Sequence, residues 1–338
     1  MKNLKVKEIE ELFYRDLHEL GKVADGINGR IATFSVNKHI NYSNVCVSRC
    51  PICAYYRSDG FLLRPEEVVE EALRAYRLGA RELHIVGSHN PDVDIEYFER
   101  IFREIKENTG GNVVIKALTA TEVSYYARKE KMSVREYISR LKDAGLDMLP
   151  GGGAEILAER VRKKIAPDKA NSKEWLRVME IAHNAGVKSN ATMLFGHIEN
   201  YRDRAIHLYR LRRLQEKTGG FVSFIPLVFH PANTSFDSLH KVSPQEILKT
   251  IAVSRIALSN FKGVKAYWVM IGEKLAQIAL NYGANDVDGT VMGERIAHSA
   301  GAKTPLELAK EKLVDMIRDA GKIPAERDAF FNVLEVYS

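Results

Sequence analysis

All three cysteines of this 338-residue chain fall inside one eight-residue window, as Cys46, Cys50 and Cys53 of NVCVSRCPICAYY. The spacing C-x3-C-x2-C offers three thiolates to one metal centre and no fourth. A closed iron–sulfur cluster takes four cysteine thiolates, and a structural zinc site takes four Cys or His ligands. Three thiolates on a short loop that hold a 4Fe–4S cube leave one iron open. That iron can chelate the amino and carboxylate groups of the methionine moiety of S-adenosylmethionine. A reduced cluster then passes one electron into the sulfonium and breaks the S–C5′ bond. Two other readings compete: a zinc site that borrows His39, seven positions upstream, and plain structural thiols. Zinc sites usually come as two CxxC-like pairs, core thiols have no reason to cluster, and disulfide frameworks use even numbers of cysteines in secreted chains. The spacing predicts the open cluster.

Other residues could surround such a centre. In HIVGSHNP, Gly87 and Ser88 bring backbone to where a methionine amino or carboxylate group would lie. In LPGGGAEI, Gly151, Gly152 and Gly153 remove every Cβ from a loop, so a ligand can lie against the main chain. Glu155 follows, free to accept from a ribose or an ammonium, or to act as an acid at a helix start. In KSNATMLFGH, Asn190 and Thr192 share a face with Lys188, and polar groups inside a buried strand need partners. Lys116 interrupts an apolar run and needs a carboxylate, from the protein or from a substrate. His230 closes PLVFHPANT as a candidate acid, donor or carboxylate partner. Arg49 and Arg57 flank the cysteines, either lowering the cluster's net charge or serving as surface charges. His84, Tyr267 and Trp268 read equally well as packing.

The elements that must position these residues alternate. A helix is expected from about Val6 to Ala24, then a strand from Ile31 to Val36, then the cysteine loop. Pro65 opens a helix through about Leu78, with Glu66 and Glu67 in its first turn. Strands are expected near residues 31, 83, 114, 147, 188, 223, 265 and 287, with amphipathic helices between them. This βα alternation predicts an α/β fold with parallel strands, a complete (β/α)8 TIM-type barrel. The cysteine loop would then sit at the C-terminal face, where barrel active sites lie. No internal repeat or linker divides the chain. The expected organisation is one domain over 1–338: an N-terminal helix in 1–29, a barrel in 30–290 and a helical C-terminal extension in 291–338.

Composition agrees with a soluble enzyme. Hydrophobic residues make up 45% of the chain, enough for a large core, and the net charge is +6 from 50 basic and 44 acidic residues. The basic residues are spread without a long Lys/Arg block, which speaks against a nucleic-acid partner. No apolar run approaches the roughly 20 residues needed to span a bilayer. The segment MKNLKVKEIEELFYRDLHEL is charged throughout and has no signal-peptide h-region. Clustered free thiols point to a reducing cytoplasm.

Longer stretches carry a resemblance. VNKHINYSNVCVSRCPICAYY is similar to the cluster loop of the radical SAM enzymes of menaquinone and deazaflavin biosynthesis. IKALTATEV, LDMLPGGGAEIL, VKSNATMLFGHIEN, LQEKTGGFVSFIPLVFHPANT and VKAYWVMIGEKLAQIALNYGANDVDGTV most resemble the aminofutalosine synthases of the futalosine route to menaquinone, from about residue 8 to the end. Two positions depart from the pattern: Ile52 replaces the aromatic often found before the last cysteine, and HIVGSHNP lacks a second glycine and an LHP-like ending. The resemblance implies a radical SAM barrel that uses S-adenosylmethionine as co-substrate. Its 5′-deoxyadenosyl radical would add to the vinyl group of 3-[(1-carboxyvinyl)oxy]benzoate, with aryl migration and loss of the carboxyl group as bicarbonate. A low-potential donor such as flavodoxin or ferredoxin would supply the electron. Lys116, Asn190 and His230 are the candidates to clamp the two substrate carboxylates. Hydrogen-abstracting enzymes of the same group, of the cyclic dehypoxanthinyl futalosine synthase or deazaflavin synthase kind, are the nearest alternative. A zinc-stabilised nucleic-acid-binding protein is the remote one.

Overall fold

The apolar runs pair side by side in chain order, because each parallel strand must be carried back by a crossover to lie next to the one before it. The computed structural model describes residues 4–337. Its strands are β1 (Ile31–Ser35), β2 (Asn37–Asn41), β3 (Glu82–Val86), β4 (Val114–Ala117), β5 (Met148–Leu149), β6 (Lys188–Phe195), β7 (Phe221–Val228), β8 (Gly263–Val264), β9 (Asp286–Gly289), β10 (Ile323–Arg327) and β11 (Val333–Val336). Strands β2 to β8 form one seven-stranded parallel sheet in sequence order. A second sheet has the order β11-β10-β1-β9. Isolated bridges from Lys265 to Asp286 and from Lys38 to Met292 connect the two ends of the curled sheet to β9 and the residues after it. The α/β barrel architecture expected from the alternation is present.

Three local expectations need correction. The expected strand 31–36 is β1, which pairs with β9 and β10, but a second strand, β2, follows where loop was expected and pairs with β3. The cysteine loop therefore follows β2. Its sequence NKHIN hides the strand, because Asn37, His39 and Asn41 interrupt the apolar pattern on which strand recognition relies. The single N-terminal helix is two, Val6–Leu12 and Leu17–Asp25. Asp16 restarts the chain by accepting hydrogen bonds from the backbone N–H groups of His18 and Glu19. Met1–Asn3 lie outside the described residues. The C-terminal extension carries helices Ile296–Ser299 and Lys310–Asp319 but ends in strands, with β10 parallel to β1 and β11 antiparallel on the edge.

The crossover helices follow their sequence signals. Pro65–Arg77 starts with Pro at its first turn, where the missing N–H is not needed, and buries Val68, Val69, Ala72 and Ala75. Full burial of a valine side chain contributes about 1.5–3 kcal/mol. Among the described residues no helix is long and apolar enough to cross a membrane.

The start of the strands, away from the cysteines, carries a buried ionic floor. Lys116 Nζ lies 2.6 Å from Glu82 Oε1, and Arg327 of β10 pairs with Asp286 at 2.5 Å and Glu82 at 3.4 Å. Lys265 pairs with Asp288. All six side chains are buried. Arg327 thus links β10 to the floor through Asp286 of β9 and Glu82 of β3.

Candidate active site

Above this floor the C-terminal ends of the strands enclose a cavity of about 340 Å³. It is lined by Cys46, Cys50, Cys53, Gly87, Ser88, Gly152, Glu155, Asn190, Thr192 and His230. One sequence candidate is missing. Lys116 does not line the cavity; the carboxylate it required is the protein's own Glu82. Lys116 is fully buried, and burial lowers its pKa to about 8 while Glu82 acts in the opposite direction. It is corrected here from a substrate clamp to a part of the floor.

The cysteine loop makes a tight turn in which Cys53 N donates to Cys50 O at 2.9 Å, after Arg49 in the left-handed region at φ 41°. Burial pushes the Cys50 thiol up to about 11, with Lys169 pulling the other way. A thiol in that state ionises readily only against a metal. Among the described residues no group of three or more His, Cys, Asp or Glu side chains is arranged to hold one metal ion. A cube is bound differently, each thiolate taking a different iron. Three thiols facing one cavity are the donor set that such a cube takes.

Neighbouring loops are stitched to the cysteine loop. Ser88 Oγ donates to Val45 O at 2.5 Å, Val47 N donates to His89 O at 3.1 Å, and Ser48 Oγ lies 2.7 Å from His89 Nδ1. Gly87 N donates to Glu122 Oε1 at 3.1 Å, and the same oxygen accepts from Tyr42 Oη at 2.7 Å. A Cβ on Gly87 would sit 2.7 Å from Tyr42 Cζ, so the close approach of the tyrosine requires glycine there.

On the β5–β6 side, Thr192 Oγ1 donates to Gly151 O at 2.8 Å. Asn190 Oδ1 accepts from Ser223 Oγ at 2.9 Å, which leaves its amide N–H groups for the cavity. Both residues face the interior, as their alternation in β6 predicts. Glu155, in the left-handed region at φ 45°, is engaged by Lys169 Nζ at 3.0 Å. His230 Nε2 donates to Met270 O at 2.9 Å, and burial lowers its pKa. Around it Ile225, Leu227, Phe229, Tyr267 and Met270 make an apolar side. Tyr267 is thus cavity lining, whereas Trp268 packs, with Nε1 donating to Gly289 O.

Sequence reading passed over His39, Glu122, Lys169, Asp288 and Glu294 as lining residues and left His84 open between packing and function; all six border the cavity. The only signal was the period of two in NKHIN and ELHIV, which places His39 and His84 on inward-facing positions.

The barrel, the cavity at its C-terminal face and the three-thiol loop together define a radical S-adenosylmethionine enzyme. The chain belongs to the radical SAM superfamily: residues 40–209 match that family, and residues 218–338 match the CofH/MqnC C-terminal region. Membership implies a 4Fe–4S cluster and S-adenosylmethionine. The chain is 40% identical to the aminodeoxyfutalosine synthase of Thermus thermophilus, over 96% of this chain and 90% of that protein. It is 38% identical to the cyclic dehypoxanthine futalosine synthase of Streptomyces coelicolor, over 96% and 84%. It is also 37% identical to a 5-amino-6-(D-ribitylamino)uracil–L-tyrosine 4-hydroxyphenyl transferase of Methanococcus maripaludis, over 99% and 98%. Among solved structures, methylornithine synthase (PylB) matches in fold with a TM-score of 0.77 at 16% identity, over 96% of this chain and 95% of that one.

Proposed function

We propose that this chain is an aminodeoxyfutalosine synthase acting in the cytoplasm on the route to menaquinone. It joins the 5′-deoxyadenosyl group of S-adenosylmethionine to the vinyl carbon of 3-[(1-carboxyvinyl)oxy]benzoate and releases methionine from the broken S–C5′ bond, with aryl migration and, by uptake of water, loss of the carboxyl group as bicarbonate. The observation that supports this reading is that one chamber combines the three thiols and glycine loops with an apolar side. Thiols and glycine loops lie on the side of β2 to β5, and an apolar side suited to an aryl ring lies on β7 and the residues after β8. The 40% identity to the Thermus enzyme over nearly the whole chain supports it.

Cys46, Cys50 and Cys53 would hold the cluster, which when bound supplies one electron to S-adenosylmethionine and so releases the 5′-deoxyadenosyl radical. Gly87 and Ser88 offer main chain to the methionine end. Gly152, Glu155, Asn190 and Thr192 meet the nucleoside, Asn190 with its free amide N–H groups. His230, whose Nε2 donates to Met270 O, would meet a substrate carboxylate through a protonated Nδ1. The surrounding apolar residues would exclude water from a radical that would otherwise be quenched, and would help to hold the bound reactants in a reactive orientation. A flavodoxin or ferredoxin is the electron donor this chemistry requires.

The relatives at 38% and 37% identity keep a second reading in view, in which the radical abstracts hydrogen from a different substrate. Anaerobic reconstitution, metal and labile-sulfide analysis, and mass spectrometry of products separate the readings. The proposal expects an adenosyl–aryl adduct from the enolpyruvyl ether. It fails if that ether gives only free 5′-deoxyadenosine, or if the protein holds zinc without labile sulfide.

A further inference from the structure

Two histidines at the bottom of the chamber have ring nitrogens that the protein leaves unused. His39 on β2 and His84 on β3 are register partners, and their rings stack with centroids 4.4 Å apart and planes 10° from parallel. Both line the chamber. His84 Nε2 lies 2.5 Å from Glu82 Oε1, which also accepts from Lys116 Nζ at 2.6 Å. Against the upward pull of burial, Lys116, His84 and Arg327 hold Glu82 ionised. A carboxylate only accepts, so His84 carries its proton on Nε2, and Nδ1 is left as a bare lone pair. His39 makes no side-chain hydrogen bond, and its Nε2 is buried without a partner. An unpaired buried polar atom costs about 1–3 kcal/mol, a cost that a ligand group arriving at these rings would remove.

We propose that the stacked His39–His84 pair anchors one carboxylate of the substrate, and that this carboxylate binds together with a proton. The proposal deepens the function given above and rests on it. Its second support is charge balance. Glu82, Asp286 and Asp288 are matched by Lys116, Lys265 and Arg327, three against three. The other charges around the pair are also matched. Glu294 caps the helix Ile296–Ser299 through the backbone N–H groups of Ile296 and Ala297 and pairs with His298. Lys38, beside His39, pairs with Glu71. A carboxylate entering such balanced surroundings is an uncompensated buried charge unless a neighbour becomes positive. The arginine and lysines are already committed to the floor carboxylates, so the imidazoles are the groups that can respond. In the free protein burial and then His84 hold His39 at about 3, and burial and then Lys116 lower His84. A bound carboxylate raises the pKa of the ring it touches, so a proton is taken up on binding. Affinity is therefore full only below the free-state pKa and falls as pH rises from there through the bound-state pKa.

The test is calorimetric titration of the reconstituted, unreduced protein with 3-[(1-carboxyvinyl)oxy]benzoate and with benzoate. Each titration is run near neutral pH in two buffers of different ionisation enthalpy. The expected result is uptake of about one proton per ligand, and dissociation constants at least about tenfold weaker, with uptake lost, in His39→Asn and His84→Asn. His39→Phe keeps the stack and should lose the uptake as well. Zero uptake by the wild-type protein, binding of neither ligand, or unchanged affinity in a folded variant each overturn the proposal. If a variant does not fold, the wild-type uptake decides alone. If benzoate binds with uptake that the variants lose, but the ether yields no adduct on reduction, the carboxylate anchor stands and the proposed function fails.

Discussion

Lys169 Nζ lies 3.0 Å from Glu155 Oε1 at the mouth of the chamber, and the same ammonium faces Cys50 and Cys53. The pair joins two segments of the β5–β6 connection beside the cysteine loop. Burial pushes the Glu155 carboxyl up, but Lys169 and then Arg162 outweigh it and leave the pKa lowered. A carboxyl whose folded pKa is depressed contributes stability above its unfolded pKa and loses it as pH falls through the folded one. Lys169→Met should therefore cost about 2 kcal/mol at pH 7, the value of a hydrogen bond to a charged group, and less in acid. Urea unfolding of wild type and variant at pH 7 and pH 4 measures both.

The glycine loop gives a second, steric expectation. A Cβ on Gly151 would lie 2.5 Å from Ala191 Cα and 2.7 Å from Thr192 N, backbone atoms of β6 that cannot step aside. On Gly152 the one close atom is a side-chain methyl, Thr119 Cγ2 at 2.9 Å. Overpacking against fixed backbone sits at the upper end of its range, about 3 kcal/mol for Gly151→Ala, whereas Gly152→Ala should cost about 1 kcal/mol. Unfolding midpoints of the two variants check the order.

Lys116 tests the distinction between floor and chamber. Removing one member of a buried ion pair strands the other, so Lys116→Met should lose about 3 kcal/mol of stability. Cysteine-loop loading, read as iron per chain, should not change. A variant of wild-type stability that had lost only substrate affinity would return Lys116 to the role of clamp.

His298 sets one alkaline limit. Hydrogen bonding to Glu294 raises its pKa to about 9, against a smaller downward effect of burial. A histidine with a raised folded pKa contributes stability that is complete below the unfolded value of 6.5 and lost as pH rises through about 9. Because the ring is partly exposed and its ion pair partly screened, about 1 kcal/mol is the expected size. His298→Gln should flatten the stability–pH curve across that window in a thermal-melt series.

The sequence made the site's outline readable where chemistry is compact in the chain. The cysteine window, the glycine loop and the alternation of Asn190 and Thr192 each lie within a dozen residues, and their periodicity gives the side that faces inward. What stayed hidden depends on partners distant in the chain. Glu82 answers Lys116 from 34 positions away, and Arg327 reaches Glu82 across 245. No local pattern announces either pairing. β2 and β10 went unread for the same reason, since their polar residues look like loop until the groups that satisfy them are in place. His39 and His84 are inward by period, but only the sheet register brings their rings together.

The central claim is that the adenosyl carbon of S-adenosylmethionine ends in the product. The direct measurement is mass spectrometry after anaerobic reaction of reduced protein with the enolpyruvyl ether and S-adenosylmethionine labelled with 13C at C5′, run in parallel with His230→Ala. The account predicts the label in an adenosyl–aryl adduct for the wild type. In His230→Ala, at least about tenfold of the adduct-to-cleavage ratio should be lost to free 5′-deoxyadenosine, as one carboxylate contact worth about 1.4 kcal/mol or more is removed. Label recovered from the wild type only as free 5′-deoxyadenosine would contradict it.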